Sequence, residues 1–319
     1  MITQSSFKPL WYLKNPHLQT LVANLIHPPV PELQYETIQL VDGDSLDLAR
    51  TRTQGPDTVL ILHGLEGSIN SSYAQRLLGY LDSRNTAAVM MFFRSCNGSP
   101  NKNLRSYHSG ETEDLSAVIQ HLKNTGSKRI ALVGYSLGGN VTLKYMGEGK
   151  SDDAILCSTA ISVPLLLEDC ARRMNRGFSK IYQYALLRRL IKKVLQKKAL
   201  YNSAGISTDP RTIKTFIAFD DLYTAPIHGF KDAQDYYLHS SSKQFLAGIE
   251  KPTLIIHAKD DPFMTPAVLP CSSELSSSTT LELSRYGGHV GFIGGKRLKP
   301  EFWLEPRIFK FIKSQFSVP

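Results

Sequence analysis

The chain has 319 residues, 42% hydrophobic and 20% charged, a globular balance that excludes wholesale disorder and can bury one large core or two smaller ones. Lys and Arg outnumber Asp and Glu by 37 to 28, giving a net charge of +9; aromatic residues are not interleaved with the basic ones, so nucleic-acid binding is not indicated. Cys96, Cys157, Cys170 and Cys271 lie too far apart for a C-x-x-C site, the N-terminus lacks a signal-peptide core, and no apolar run nears the ~20 residues that span a bilayer, so a cytoplasmic protein is expected.

In chain order, Trp11, Tyr12, Pro16, His17, Pro28, Pro29 and Pro31 mark an irregular arm with one short helix over 18–25. A hairpin follows: runs 35–40 and 45–50 alternate apolar and polar residues around the turn Asp42-Gly43-Asp44. The rhythm then becomes strand, loop, helix. Apolar strands are predicted over 58–62, 87–93, 129–133 and 154–158, with helices over 72–83, 111–123 and 137–146. Strands apolar throughout and alternating with helices imply a parallel sheet covered on both faces. Two more strands, 253–257 and 280–283, come late. About eight mostly parallel strands behind an antiparallel hairpin match the α/β-hydrolase architecture, read here as a single domain over 1–319.

Roughly ninety residues separate the fourth parallel strand from the next, far more than a βα unit needs. They are predicted helical over 165–173, 180–198 and 233–238. An insertion at about 160–250 would lie over the C-terminal edge of the sheet, where open α/β folds bind ligands, and would act as a helical cap.

The chemistry-bearing motif is Gly134-Tyr135-Ser136-Leu137-Gly138, between a strand and a helix. In that setting G-x-S-x-G is a nucleophile elbow: flanking glycines permit the tight turn that thrusts the serine hydroxyl out at a helix N-terminus. A serine needs a histidine base, and the histidine an acid to orient it. After the strand 253–257 the chain reads Ala258-Lys259-Asp260-Asp261-Pro262; Asp261 is the preferred acid and Asp260 the alternative. His289, in Tyr286-Gly287-Gly288-His289-Val290-Gly291, follows the last strand in a glycine-rich loop and is the base. His17, His27, His121, His228, His239 and His257 read as surface or structural. Backbone amides of Leu137, just after the serine, and of Leu65, in His63-Gly64-Leu65-Glu66-Gly67, are the expected oxyanion donors. Ser136, Asp261 and His289 in this order point to a serine hydrolase that forms an acyl-enzyme.

With those residues in place the chain resembles the YheT-like family of the α/β-hydrolase superfamily over nearly its whole length. The similarity rests on Pro16-His17-Leu18-Gln19-Thr20, on His63-Gly64-Leu65-Glu66-Gly67-Ser68, and on the run from Tyr107 to Asp114. It extends through Asn175-Arg176-Gly177-Phe178, Phe219-Asp220-Asp221, Thr224-Ala225-Pro226, His228-Gly229-Phe230 and Gly287-Gly288-His289. The resemblance implies a carboxylic-ester hydrolase without cofactor or metal, acting on short-chain or acyl-lipid esters. A thioesterase, an amidase or a non-catalytic lipid- or small-molecule-binding protein on the same fold are the alternatives. One departure stands out: after Phe93-Arg94 the family pattern is Gly-Cys-Ser-Gly, where this chain has Ser95-Cys96-Asn97-Gly98, in a loop expected to border the pocket.

His108 and Asp220 could shape that pocket but read better as loop anchors. In the insertion, Leu187, Leu190, Ile191, Val194 and Leu195 recur at helical spacing among Arg188, Arg189, Lys192, Lys193, Lys197 and Lys198. The simplest account packs the apolar stripe on the sheet and leaves the cations solvated. Weak contact with an anionic membrane surface is the alternative.

Overall fold

In the computed structural model, which describes residues 1–29, 31–149, 151–296 and 299–317, the chain opens with strand β1 (Ile2–Gln4) and helix α1 (Pro16–Leu25). The hairpin β2 (Leu33–Gln39) and β3 (Ser45–Thr51) follows. Then come β4 (Asp57–Leu62), α2 (Ser72–Asp82), β5 (Ala87–Met91), α3 (Glu113–Asn124), β6 (Arg129–Tyr135), α4 (Leu137–Gly147) and β7 (Ile155–Ile161). The inserted segment holds α5 (Leu167–Met174), α6 (Ser179–Gln196), α7 (Lys198–Ser203), α8 (Phe216–Phe219), a π-helical turn Asp220–Thr224, α9 (Ala225–Ile227) and α10 (Ala233–Ser240). The alternation resumes with β8 (Thr253–Ala258) and β9 (Thr279–Ser284), then a hairpin of β10 (Ile293–Lys296) and β11 (Lys299–Phe302), and ends with α11 (Leu304–Phe316).

Nine strands form one sheet in the order β1-β9-β8-β7-β6-β4-β5-β3-β2, parallel from β1 to β5, with the β3–β2 hairpin added antiparallel at the edge. Alternation of side chains sorts the core onto two faces. Leu60 and Leu62 of β4 pack with Leu115, Val118 and Leu122 of α3, whereas Val59 and Ile61 pack with Leu77 and Leu81 of α2 and Ile308 of α11. At the hairpin end, buried Arg94 donates to Asp114 at 2.7 and 2.8 Å, to Asp44 at 2.8 Å and to Asp42 at 2.6 Å, tying the hairpin turn to the start of α3.

The observed bounds differ from the predicted ones for local reasons. Helix α1 starts at Pro16 because the Asn15 side chain accepts from the amides of His17 and Leu18, and proline suits the first helical position. Helix α3 starts at Glu113, since the Glu111 carboxylate accepts from the amides of Glu113 and Asp114. Strand β5 stops at Met91, and the Phe93 amide donates to the His63 ring instead of a strand neighbour. Strand β1 was not anticipated; only three residues long, it is held against β9, and the terminal amine of Met1 donates to the Thr279 carbonyl at 2.6 Å.

The inserted segment builds clusters of its own. Leu187 and Val194 of α6 pack with Tyr201, Phe219 and Tyr223, so the apolar stripe of this helix faces other inserted helices and not the sheet as expected. Its cations are not all solvated: Lys193 and Lys197 turn inward, Lys197 donating to Asn101 at 2.9 Å and to the Asn103 carbonyl. Buried Asn140 of α4 anchors the end of the insertion, donating to the carbonyls of Ser109 and Ser240 and accepting from the Ser242 amide.

Candidate active site

Ser136 sits between β6 and α4 with φ 51° and ψ −116°, a sparsely populated conformation that the surrounding backbone must enforce. The glycines of the motif are required sterically. A Cβ on Gly134 would stand 2.4 Å from the Gly138 carbonyl oxygen, and one on Gly138 would stand 2.5 Å from the carbonyl oxygens of Leu62 and His63. The serine therefore lies where three strand ends converge, at the positive end of α4, which favours developing negative charge.

His289 comes from the loop after β9. Its Nε2 lies 3.0 Å from Ser136 Oγ and its Nδ1 2.9 Å from Asp261 Oδ2. A carboxylate only accepts, so Nδ1 carries the proton and the Nε2 lone pair faces the serine hydroxyl. Asp261 is buried, and its other oxygen accepts from the Phe263 amide at 2.9 Å. Asp260 turns away and accepts from the Gly288 amide at 3.0 Å. Burial, reinforced by the neighbouring Asp261, pushes the Asp260 carboxyl up to about 6.

The histidine loop is held from several sides. The His289 amide donates to Thr20 Oγ1, which itself donates to the Pro16 carbonyl, and the Val290 amide donates to Ser162 Oγ. Gln19 bonds both the amide and the carbonyl of Ile293. A Cβ on Gly288 would meet the Pro16 carbonyl oxygen at 2.5 Å, so α1 and this loop touch backbone to backbone. The Phe263 ring stacks on the imidazole at 4.0 Å between centroids.

Leu65 and Leu137 line the same cleft as Ser136 and His289, and neither backbone amide donates to any group among the described residues. The loop carrying Leu65 is braced throughout. His63 Nε2 accepts from the Phe93 amide, so Nδ1 donates to the Gly64 carbonyl at 2.7 Å; burial lowers this imidazole to about 4 and keeps it neutral. The Gly64 amide donates to Tyr73 Oη. Glu66, at φ 55°, donates its amide to Tyr107 Oη at 2.9 Å, while its carboxylate accepts from Tyr107 Oη and from Lys193 Nζ, both at 2.7 Å. Lys193 also reaches Cys96 Sγ at 3.0 Å. The variant loop at 95–98 thus meets the cleft through Lys193 and Tyr107, both of which line it.

The cleft encloses about 1100 Å³, its open mouth included, and apolar surface dominates its walls. Met174, Leu190, Val194 and Phe219 of the insertion line it together with Ser136. His108 and Asp220 also line it and are engaged as anchors. His108 Nδ1 accepts from the Gly110 amide, and Asp220 accepts from Thr224 and Tyr237, both at 2.6 Å. Burial raises the Asp220 carboxyl to about 6 and holds His108 well below the ordinary imidazole range. Sequence reasoning left the contacts of Thr20, Tyr107, Lys193 and Phe263 unread. Thr20, Glu66 and Tyr107 lie inside the family motifs, which was a usable signal; Lys193 and Phe263 carried none.

This fold and constellation define an α/β hydrolase, and residues 57–296 match the family model for the alpha/beta hydrolase fold, to which the chain belongs. Within it the chain is of the YheT-like, esterase- and lipase-like kind. It is 41% identical over 318 residues to YheT of Escherichia coli (strain K12), a protein provisionally named an esterase, covering 96% of this chain and 92% of that one. It is 29% identical to the monoacylglycerol lipase of Saccharomyces cerevisiae (strain ATCC 204508 / S288c), covering 80% of this chain and 58% of that one. The Pyrococcus furiosus esterase Pf2001 has the same fold at a TM-score of 0.60 and 19% identity, over 92% of this chain and 98% of that one.

Proposed function

We propose that the protein hydrolyses carboxylic esters through an acyl-enzyme on Ser136, with His289 as base and Asp261 as its orienting acid. The observation that carries this reading is the unbroken relay from Ser136 Oγ to His289 at 3.0 Å and from His289 to Asp261 at 2.9 Å. Ser136 Oγ attacks the ester carbonyl as its proton passes to His289 Nε2. The oxyanion accepts from the free amides of Leu65 and Leu137, aided by the N-terminal end of α4. Collapse of the tetrahedral intermediate breaks the ester bond, and Nε2–H protonates the departing alcohol. A water then loses its proton to Nε2, attacks the acyl carbon and frees the acid, returning the proton to Ser136.

The apolar walls favour an acyl chain over a polar acid, so short-chain or acyl-lipid esters are the proposed substrates, without metal or cofactor. The inserted helices act as a cap on one α/β domain. No helix among the described residues is long and apolar enough to cross a membrane. The test is hydrolysis of p-nitrophenyl esters from acetate to palmitate by the wild type and by Ser136→Ala. The reading requires activity with a chain-length optimum, lost in the variant; activity that survives the substitution would overturn it.

A further inference from the structure

Helix α1 leaves its three leucines exposed. Gln19, Thr20 and Ala23 are its buried positions, while Leu18, Leu21 and Leu25, spaced as one helical face, are exposed, Leu25 at 78%. The start of α6 does the same: Phe178, Ile181 and Tyr184 are exposed, the last two at 56% and 64%. The two edges meet at His17, whose ring lies 4.5 Å from that of Phe178 and whose Nδ1 lies 3.2 Å from Tyr182 Oη. Tyr182 packs on Phe263 at 4.9 Å, and Phe263 stacks on His289. The uncovered face is therefore three ring contacts from the candidate base.

Cations flank the α6 side of this face. Arg176, Lys180, Arg188, Arg189 and Lys192 are exposed and form no ion pair among the described residues. The nearest acids on α5 are already engaged, Glu168 with Arg172 and Asp169 with Thr265. Apolar edges beside a run of unpaired cations suit the boundary of an anionic bilayer, where leucine and aromatic side chains enter the acyl region and lysine and arginine meet headgroups. A second copy of the chain would oppose the same cations to each other.

We propose that the α1 edge and the start of α6 together dock the protein on an anionic lipid surface. The consequence, that esters reach Ser136 from a membrane, rests on the hydrolase reading above; the docking itself does not.

The test is flotation with vesicles of phosphatidylcholine alone or mixed with phosphatidylglycerol, for the wild type and for the pairs Leu21→Ser/Ile181→Ser and Arg188→Gln/Arg189→Gln. Binding should require phosphatidylglycerol and fade in about 0.5 M salt, where exposed charge attraction is screened within a few ångströms. Each pair should weaken partitioning by about tenfold, with hydrolysis of a water-soluble ester unchanged. Absence of wild-type flotation, or flotation of either pair equal to that of the wild type, overturns the proposal. So does a concentration-dependent dimer in light scattering that the Leu21/Ile181 pair abolishes, since that would make a second copy the occupant. If vesicles are bound as described but no ester is cleaved, docking stands and the hydrolase reading fails.

Discussion

Replacing Asp260 and Asp261 by asparagine, one at a time, should move activity and stability in opposite directions. Asp261 faces His289 Nδ1 at 2.9 Å, and an amide nitrogen there would drive the imidazole into the tautomer that protonates Nε2. Ser136 would then lose its proton acceptor, and kcat should fall by roughly 10³–10⁴ with KM little changed. Asp260 has its Oδ1 on the Gly288 amide and its Oδ2 buried without a partner among the described residues. From the ordinary 3.8 to about 6, the folded protein keeps a proton that the unfolded chain has released. Stability therefore falls as pH climbs through that window and stays lower above it. The full rise would correspond to roughly 3 kcal/mol, but Asp260 is only half-buried and solvent screening cuts this, so Asp260→Asn should gain ~1 kcal/mol at pH 7. The gain should vanish near pH 4. Urea unfolding at both pH values, with kcat on p-nitrophenyl butyrate, reads both effects. An active Asp261→Asn beside an inactive Asp260→Asn would refute the assignment.

The brace around Leu65 can be tested with Tyr107→Phe, which deletes both hydrogen bonds to Glu66; stability should drop by about 1–3 kcal/mol and kcat by roughly tenfold with KM unchanged. A double-mutant cycle with Lys193→Met should show coupling above ~0.5 kcal/mol, and additivity within error would separate the two contacts. Thr20→Val removes the acceptor for the His289 amide and should lower kcat roughly tenfold, with Thr20→Ser restoring it; a kcat within error of wild type would detach α1 from the site. Arg94→Met strips buried Asp114 of its ion pair and leaves buried Asp44 only its hydrogen bonds from Asn101 and Lys102, and should destabilise the protein by about 3–5 kcal/mol in urea titrations; a loss under about 1 kcal/mol would contradict the part given to Arg94 in tying the hairpin to α3.

The parts legible in the sequence are those where steric need dictates residue type. Gly134 and Gly138 stand at contacts that admit no Cβ, and Gly288 does so against Pro16, so spacing alone points to both turns. The central strands are legible because burial on both faces makes them apolar throughout, as in β5, where every residue is buried. Between Asp260 and Asp261 the sequence offers one guide, the three-residue offset of Asp261 from Ala258 that matches a Gly-x-x-Asp turn, while the direction of each side chain is set only in the folded chain. Strand β1 is too short to show periodicity, whereas α11, with Leu304, Ile308 and Ile312 at four-residue intervals, carries a readable helical pattern. Lys193 sits among cations that face water on the same helix, and its partner Glu66 lies 127 residues away. Only the folded chain separates its role from that of its neighbours.

The proposed covalent intermediate on Ser136 can be trapped by labelling with a fluorophosphonate, followed by intact mass and peptide mapping. One adduct is expected, on Ser136, absent from Ser136→Ala and strongly slowed in His289→Ala. Ester hydrolysis by a protein that takes no label, or takes it at another residue, would rule out Ser136 as the nucleophile.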